Sequence, residues 1–331
     1  MKKWIYALLL TSSLSVLAGC ANAAQPPADD IHSYEHTHEH NHEHAHDNNY
    51  EVYSEAIQVV TTFSILADMI NEVAGGLADI YTIVPIGNDP HEHEVLPADL
   101  LAVYNSDIIF YHGLNLETGY YGWFANLMQA VDRDLNYVAV TEGIEPIYLT
   151  TEGLENYHDP HAWLDISNGI IYIQNIARLL SEISPENAAT FESNADAYIS
   201  RLYALHNEWL GAFDDIPYGQ RLLITAEGAF RYFGYAYNVR TAHIWEINAH
   251  EEGTPEQMLA LINIVNTSDV ISLFTESSID AQYIEQISAE TGIPIFAMLY
   301  TDSLSEPEGQ AGTYYDMMRF NLETIYAGLS G

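Results

Sequence analysis

Ile57-Gln58-Val59-Val60-Thr61-Thr62-Phe63 runs directly into Ser64-Ile65-Leu66-Ala67-Asp68-Met69-Ile70-Asn71-Glu72-Val73-Ala74-Gly75. The first run is short, apolar and β-branched, the composition of a buried strand; the second carries a helical pattern that stops on glycine. The alternation then repeats. Residues 80–85, 107–111 and 137–140 read as further strands, with helical stretches over 97–105 and 119–131 between them. Strand, helix, strand in this order is the signature of a parallel sheet covered by helices. A second series follows, with strands at 221–225, 240–246, 270–274 and 293–299 and helices at 228–237, 255–265, 280–290 and 314–329. Thr254-Pro255-Glu256-Gln257 combines a capping box with proline in the first helical turn, so one helix start is fixed by local chemistry. The expected fold is α/β: two Rossmann-like lobes with parallel sheets.

Between the two series lies a stretch opened by Ser184-Pro185-Glu186. Its apolar residues Ala188, Phe191, Ala195, Tyr198, Leu202, Leu205 and Trp209 alternate spacings of three and four. That unbroken stripe predicts a helix of roughly 33 Å, long enough to join two lobes as a stiff strut or to pack as an ordinary helix of the first. The expected organisation is a lobe over 56–180, a linking helix over 181–211 and a lobe over 212–331.

The chain of 331 residues is 48% apolar and 17% charged, enough to bury a sizeable core. It has 47 acidic residues against 9 basic ones, a formal charge of −38. The only lysines are Lys2 and Lys3. Such a surface repels phosphate backbones, which excludes nucleic-acid binding, and it tolerates cations.

The lone cysteine excludes an internal disulfide and a cysteine-based zinc site. Its setting gives it another role. Met1-Lys2-Lys3 is a basic start, residues 4–17 are mostly apolar, and Leu17-Ala18-Gly19-Cys20 closes the segment. This reads as a signal peptide over 1–20, too short for a bilayer span, ending in what resembles a bacterial lipobox with Cys20 as the lipidated residue. The protein is thus expected outside the cytoplasm, lipid-anchored to a bacterial cell membrane. Residues 21–55 read as a flexible tether, within which His32, His36, His38, His40, His42, His44 and His46 supply seven of the fifteen histidines. Imidazoles at this density bind transition metals loosely without a fold, although a plain hydrophilic spacer is the alternative. The two HExxH matches inside the run are products of low complexity, since no amphipathic helix presents them.

Doubly wound sheets place sites at the carboxyl ends of strands. The segments found there are rich in ligand-competent side chains: Asp89-Pro90-His91-Glu92-His93-Glu94, Asp159-Pro160-His161, Ala226-Glu227-Gly228, and Thr301-Asp302-Ser303. Each proline restrains the backbone ahead of an imidazole and lowers the entropy lost on binding. Two histidines from the first lobe and two carboxylates from the second would form an N₂O₂ set across a cleft. Each also has an ordinary alternative: a hydrogen-bonded loop histidine, a helix cap at Glu227, an Asx turn at Asp302.

Taken in order, Asp89-Pro90-His91, Asp159-Pro160-His161, Glu227-Gly228-Ala229-Phe230-Arg231-Tyr232-Phe233, Ile244-Trp245-Glu246-Ile247-Asn248 with Glu252-Gly253-Thr254-Pro255, Glu276-Ser277-Ser278 and Tyr300-Thr301-Asp302-Ser303 resemble one family. It is the metal-binding lipoproteins that serve ABC importers of manganese, zinc and iron. Tyr314-Tyr315-Asp316-Met317-Met318-Arg319-Phe320-Asn321-Leu322 looks like its C-terminal helix. The resemblance implies two lobes joined by a rigid helix and one ion held by His91, His161, Glu227 and Asp302. It implies a permease and an ATPase as partners, a monomeric chain and no enzymatic activity. Glutamate as third ligand marks the manganese branch, so Mn²⁺ is expected ahead of Zn²⁺ or Fe²⁺. Two departures from the family pattern stand out: His93 occupies a place where the family usually has tyrosine, which puts an alternative ligand two residues from His91, and the histidine-rich tether is a habit more of zinc-handling members than of manganese ones. The readings from other classes are a metalloenzyme, with Glu92, His93 or Glu94 as base, and a surface adhesin.

Overall fold

The structure, a computed structural model, describes residues 56–119, 122–131, 134, 136–248 and 253–331. The signal peptide, Cys20 and the tether with its histidines lie outside the described residues, as does Glu252.

The opening strand β1 (Ile57–Thr61) is the centre of the first sheet. It pairs in parallel with β2 (Ala78–Thr82) on one side and β3 (Ile108–Tyr111) on the other, and β4 (Tyr137–Ala139) closes the order β2-β1-β3-β4. The helices that return the chain are α1 (Ser64–Ala74), α2 (Pro97–Asn105) and α3 (Trp123–Ala130). Gly75 ends α1 in the left-handed region (φ 59°), where glycine adopts the backbone without a Cβ clash. β2 begins two residues earlier than its apolar run because its pairing with β1 starts at Ala78.

Two long helices follow, α4 (Ile166–Ile183) and α5 (Ala188–Trp209), joined by a 3-10 turn at Pro185–Asn187. The stripe of α5 faces inward as expected, with Phe191, Ala195, Tyr198, Leu202 and Leu205 buried. The helix lies along α4 and α1 and also touches the last helix, α9 (Tyr314–Ser330).

The remaining strands are β5 (Leu222–Ile224), β6 (Arg240–Ala242), β7 (Leu273–Glu276) and β8 (Ile295–Leu299). They form two parallel pairs, β5-β6 and β7-β8, with β5 beside β7. Between them run α6 (Arg231–Tyr237), α7 (Pro255–Asn266) and α8 (Gln282–Thr291). The capping box of α7 is formed: Gln257 N–H donates to Thr254 Oγ1 (3.3 Å) and Thr254 N–H to Gln257 Oε1 (2.9 Å). The strand expected over 240–246 stops at Ala242, because the N–H groups of Ile244 and Trp245 both turn to the carbonyl of Ala226 (2.9 and 3.1 Å). The α/β class and the parallel pairing follow the sequence reading.

One apolar core runs through both halves. It contains Val59, Ile109 and Phe110 of the first sheet, Phe191 and Leu202 of α5, Phe213, Phe230 and Phe233 from the second half, and Tyr314, Met317 and Leu322 of α9. A smaller cluster around Ile224, Leu261 and Ile284 fills the second half. No described helix is long and apolar enough to cross a membrane.

Candidate metal centre

Both Asp-Pro-His tripeptides fold the same way at the backbone. Asp89 Oδ1 accepts the His91 N–H (2.8 Å), and Asp159 Oδ1 accepts the His161 N–H (3.0 Å). Each aspartate thus fixes the turn that projects its histidine. Trp123 Nε1–H holds the first turn by donating to the Pro90 carbonyl (2.9 Å). Asp159 does more: its Oδ1 also lies 2.8 Å from His161 Nδ1. A carboxylate only accepts, so that nitrogen carries its proton and Nε2 is left facing inward.

The carboxylates sit where the second series of strands ends. Glu227 follows β5, its loop held by Glu276, whose oxygens accept from Ala226 N–H (2.7 Å) and Glu227 N–H (3.2 Å). Asn248 N–H donates to Glu227 Oε1 (2.8 Å). Helix α6 starts at Arg231 with no side-chain cap, so Glu227 is not spent on capping. Asp302 follows β8, and its Oδ2 accepts from the hydroxyls of Ser278 (2.6 Å) and Thr301 (2.9 Å).

These four loops bring His91, His161, Glu227 and Asp302 together, each at most 3% exposed, with one ligand atom from each within 4.8 Å of all the others. His91 Nε2 is 3.3 Å from His161 Nε2, which is 3.4 Å from Asp302 Oδ1 and 3.7 Å from Glu227 Oε1. Donors at about 2.0–2.2 Å from a tetrahedral ion stand about 3.3–3.6 Å apart; the quartet is somewhat wider, with His91 Nε2 3.9 Å from Glu227 Oε1, close enough to contract around one ion. Glu227 Oε2 is buried without a hydrogen-bond partner, and Asp302 Oδ1 has only His161 Nε2, at 3.4 Å. Acceptors left bare in a dry pocket cost free energy unless a proton or a cation reaches them. Among the described residues, this is the one group of three or more such side chains close enough to share an ion.

The electrostatics follow from burial and proximity. Burial lowers the His91 imidazole below its usual range. Burial pulls His161 down as well, but the Glu227 charge and the hydrogen bonds to Asp159 and Asp302 outweigh it and hold His161 well above that range. Burial drives Glu227 far up, and raises Glu276 behind it to about 8. At Asp302 burial is overcome by the hydrogen bond and charge of His161, which keep this carboxylate below its ordinary value. Each charge in this pair favours the other, so without an ion His161 and Glu227 share protons as a coupled pair.

His93 is turned away. Its Nε2 lies 2.9 Å from Asp99 Oδ2, a carboxylate that also accepts from the Tyr81 hydroxyl and the Leu96 N–H, and its ring meets Trp123 edge-on. Glu92 and Glu94 are exposed. Sequence reasoning missed Asn248, Glu276, Ser278 and Thr301 as supports of the carboxylates. Their only local signal is that they lie within or beside the quoted motifs.

Parallel α/β halves with a buried donor set at the strand ends define a two-lobed binding protein. The chain belongs to the family described as zinc-uptake complex component A, periplasmic, whose model matches residues 59–328. It is 45% identical over 279 residues to the manganese ABC transporter substrate-binding lipoprotein scaA of Streptococcus gordonii, covering 84% of this chain and 90% of that protein. It is 44% identical, with the same coverage, to the iron ABC transporter substrate-binding lipoprotein MtsA of Streptococcus pyogenes serotype M1. Among solved structures, a Mn-bound periplasmic metal binding protein from Candidatus Liberibacter asiaticus matches with a TM-score of 0.71 and 32% identity, over 82% of this chain and 98% of that one.

Proposed function

We propose that this chain is the metal-capturing subunit of an ABC importer. It is a lipoprotein held outside the bacterial cell by Cys20, and it takes up one divalent ion through His91, His161, Glu227 and Asp302. It passes the ion to a membrane permease driven by an ATPase. The observation that supports this reading is the buried quartet itself, two imidazoles and two carboxylates converging on one point with Glu227 Oε2 left unpartnered. In this reading residues 56–180 and 212–331 act as lobes on either side of the ion, residues 181–211 link them, and residues 21–55 are a tether whose histidines gather metal. The chain acts as a monomer.

Mn²⁺ is the favoured ion, because two carboxylates with two imidazoles make a harder set than three imidazoles would. Zn²⁺ is the second reading, because four donors suit it and intrinsic affinity rises from Mn²⁺ toward Zn²⁺. Close relatives named for manganese and for iron differ by one percentage point in identity, so relatedness does not choose the ion.

Catalysis is not part of the proposal. A metal-assisted hydrolase keeps a base beside an open ligand position, whereas Glu92 and Glu94 are exposed and His93 is bound to Asp99. The test is elemental analysis of full-length protein purified without added metal, followed by Mn²⁺/Zn²⁺ competition. One equivalent of ion per chain, lost in Glu227→Ala, is the expected result. Turnover of ester, phosphate or peptide substrates by the loaded protein would favour a metalloenzyme. Host-surface binding unaffected by Glu227→Ala would favour an adhesin.

A further inference from the structure

The segment that leaves β6 early has a use that its sequence does not announce. Residues 244–248 are bolted to the Glu227 loop through Ile244 and Trp245, whose N–H groups share the Ala226 carbonyl. Two side chains then reach from this segment into the first half of the molecule. Glu246, 7% exposed, accepts the backbone N–H and the hydroxyl of both Thr150 and Thr151 at 2.7–3.0 Å, and it pairs with Arg231 at 2.7 Å. Thr150 and Thr151 belong to the loop that ends at His161: Ile147 accepts the Asp159 N–H, and Leu149 donates to Tyr157. Asn248, 5% exposed, donates its side-chain amide to Asp89 Oδ2 (2.5 Å) and accepts from Trp245 Nε1 (3.0 Å). Asp89 is the residue that fixes His91.

One five-residue segment thus grips both histidine loops while its base and the Asn248 N–H hold Glu227. Other ties cross between the halves, such as Gly87 N–H to Ser303 Oγ (2.7 Å) and Trp163 Nε1–H to the Thr301 carbonyl (2.9 Å), but they join the Asp302 loop. Arg231 and Tyr232, just past Glu227, also hold the His161 loop, through the Tyr148 carbonyl (2.9 Å) and the Asp159 carbonyl (3.0 Å). What sets the 244–248 segment apart, among the described residues, is that its side chains reach both histidine loops.

We infer that residues 244–248 are a strap and that Glu246 and Asn248 are positioning residues that set how long a captured divalent ion is retained. An ion cannot leave a pocket this closed until a histidine loop parts from the carboxylates, and the prong that grips that loop, Asn248 for His91 or Glu246 for His161, must break for that to happen. The strap contacts no ion directly. It therefore governs the escape rate more than the donor set. The inference rests on the ion-binding role proposed above.

The test uses the full chain loaded with Mn²⁺ or Zn²⁺, and follows dissociation into excess chelator by stopped flow. Asn248→Ala and Glu246→Gln are each expected to speed dissociation by about ten- to a hundredfold, the range typical of groups that orient ligands, with a smaller change in association rate. The visible spectrum of bound Co²⁺ should stay as in the parent protein. In the unaltered protein, backbone amides of Thr150, Thr151 and Asn248 should exchange with deuterium at least about tenfold faster without metal than with it. Unchanged dissociation in folded variants, a changed Co²⁺ spectrum, or equal exchange with and without metal each overturns the strap while leaving the ion-binding role intact. An unaltered protein that binds no ion overturns both.

Discussion

Asp89 and Asp159 occupy the same place in two Asp-Pro-His tripeptides, yet they hold their histidines differently. Asp89 fixes only the backbone of His91, whereas Asp159 also takes the Nδ1 proton of His161. Asp159→Asn should therefore cost about ten- to a hundredfold in metal affinity by calorimetry, since the amide can present the wrong group to the ring. Proton coupling belongs to this scale too. His161 and Glu227 are a coupled pair, both held above their ordinary values, so the pair retains a proton without an ion and must lose it to bind one. Affinity should fall as pH drops from about 7.5 to about 5.5, and loading should release protons, read from calorimetry in buffers of different ionisation enthalpy. Equal affinity at both pH values would contradict this. That these four side chains gather was legible from their short motifs, three of them after strands and Asp159-Pro160-His161 ahead of α4. Their supports were not: Asn248 meets Asp89 across 159 residues, and Glu276 meets Ala226 across 50, distances that no local pattern encodes.

At the scale of elements, periodicity was a good guide where packing is one-sided. The α5 stripe buries five residues of the predicted face, and Phe191 is fully buried. Phe191→Ala should destabilise the fold by about 3–5 kcal/mol in denaturant titration, the cost of emptying a large core position. The strand at 240–246 was over-extended because its apolar residues continue past Ala242, whereas regular pairing with β5 ends there and resumes only as an isolated parallel bridge between Glu227 and Trp245. A helix junction gives a second measurable effect. Asp68 of α1 accepts from the Tyr314 N–H of α9 (2.8 Å) and the Tyr198 hydroxyl of α5 (3.3 Å), and burial raises it to about 6. Its folded value lies above its unfolded one, so its contribution is present at low pH and is lost as pH rises through about 6, on the order of 3 kcal/mol. Asp68→Asn should flatten the stability profile between about pH 4 and 7.

For the molecule as a whole, charge was the plainest sequence signal. With 47 carboxylates and no lysine beyond Lys3, the surface draws cations from a distance. The association rate of Mn²⁺ should fall several-fold between about 0.02 and about 0.5 M NaCl, while dissociation from the buried quartet changes little. A flat association rate would remove any role for the surface. What the alternation of strands and helices did not foretell is that the halves share one apolar interior. Cutting the backbone after Trp209 would not yield two usable fragments. One piece would carry Phe191 and Leu202 stripped of α9, and the other would carry Phe213 and Met317 with nothing to lie against. Both should precipitate when produced alone and regain solubility only when produced together, so any engineered sensor derived from this chain must leave that interior whole and vary the loops around the slot.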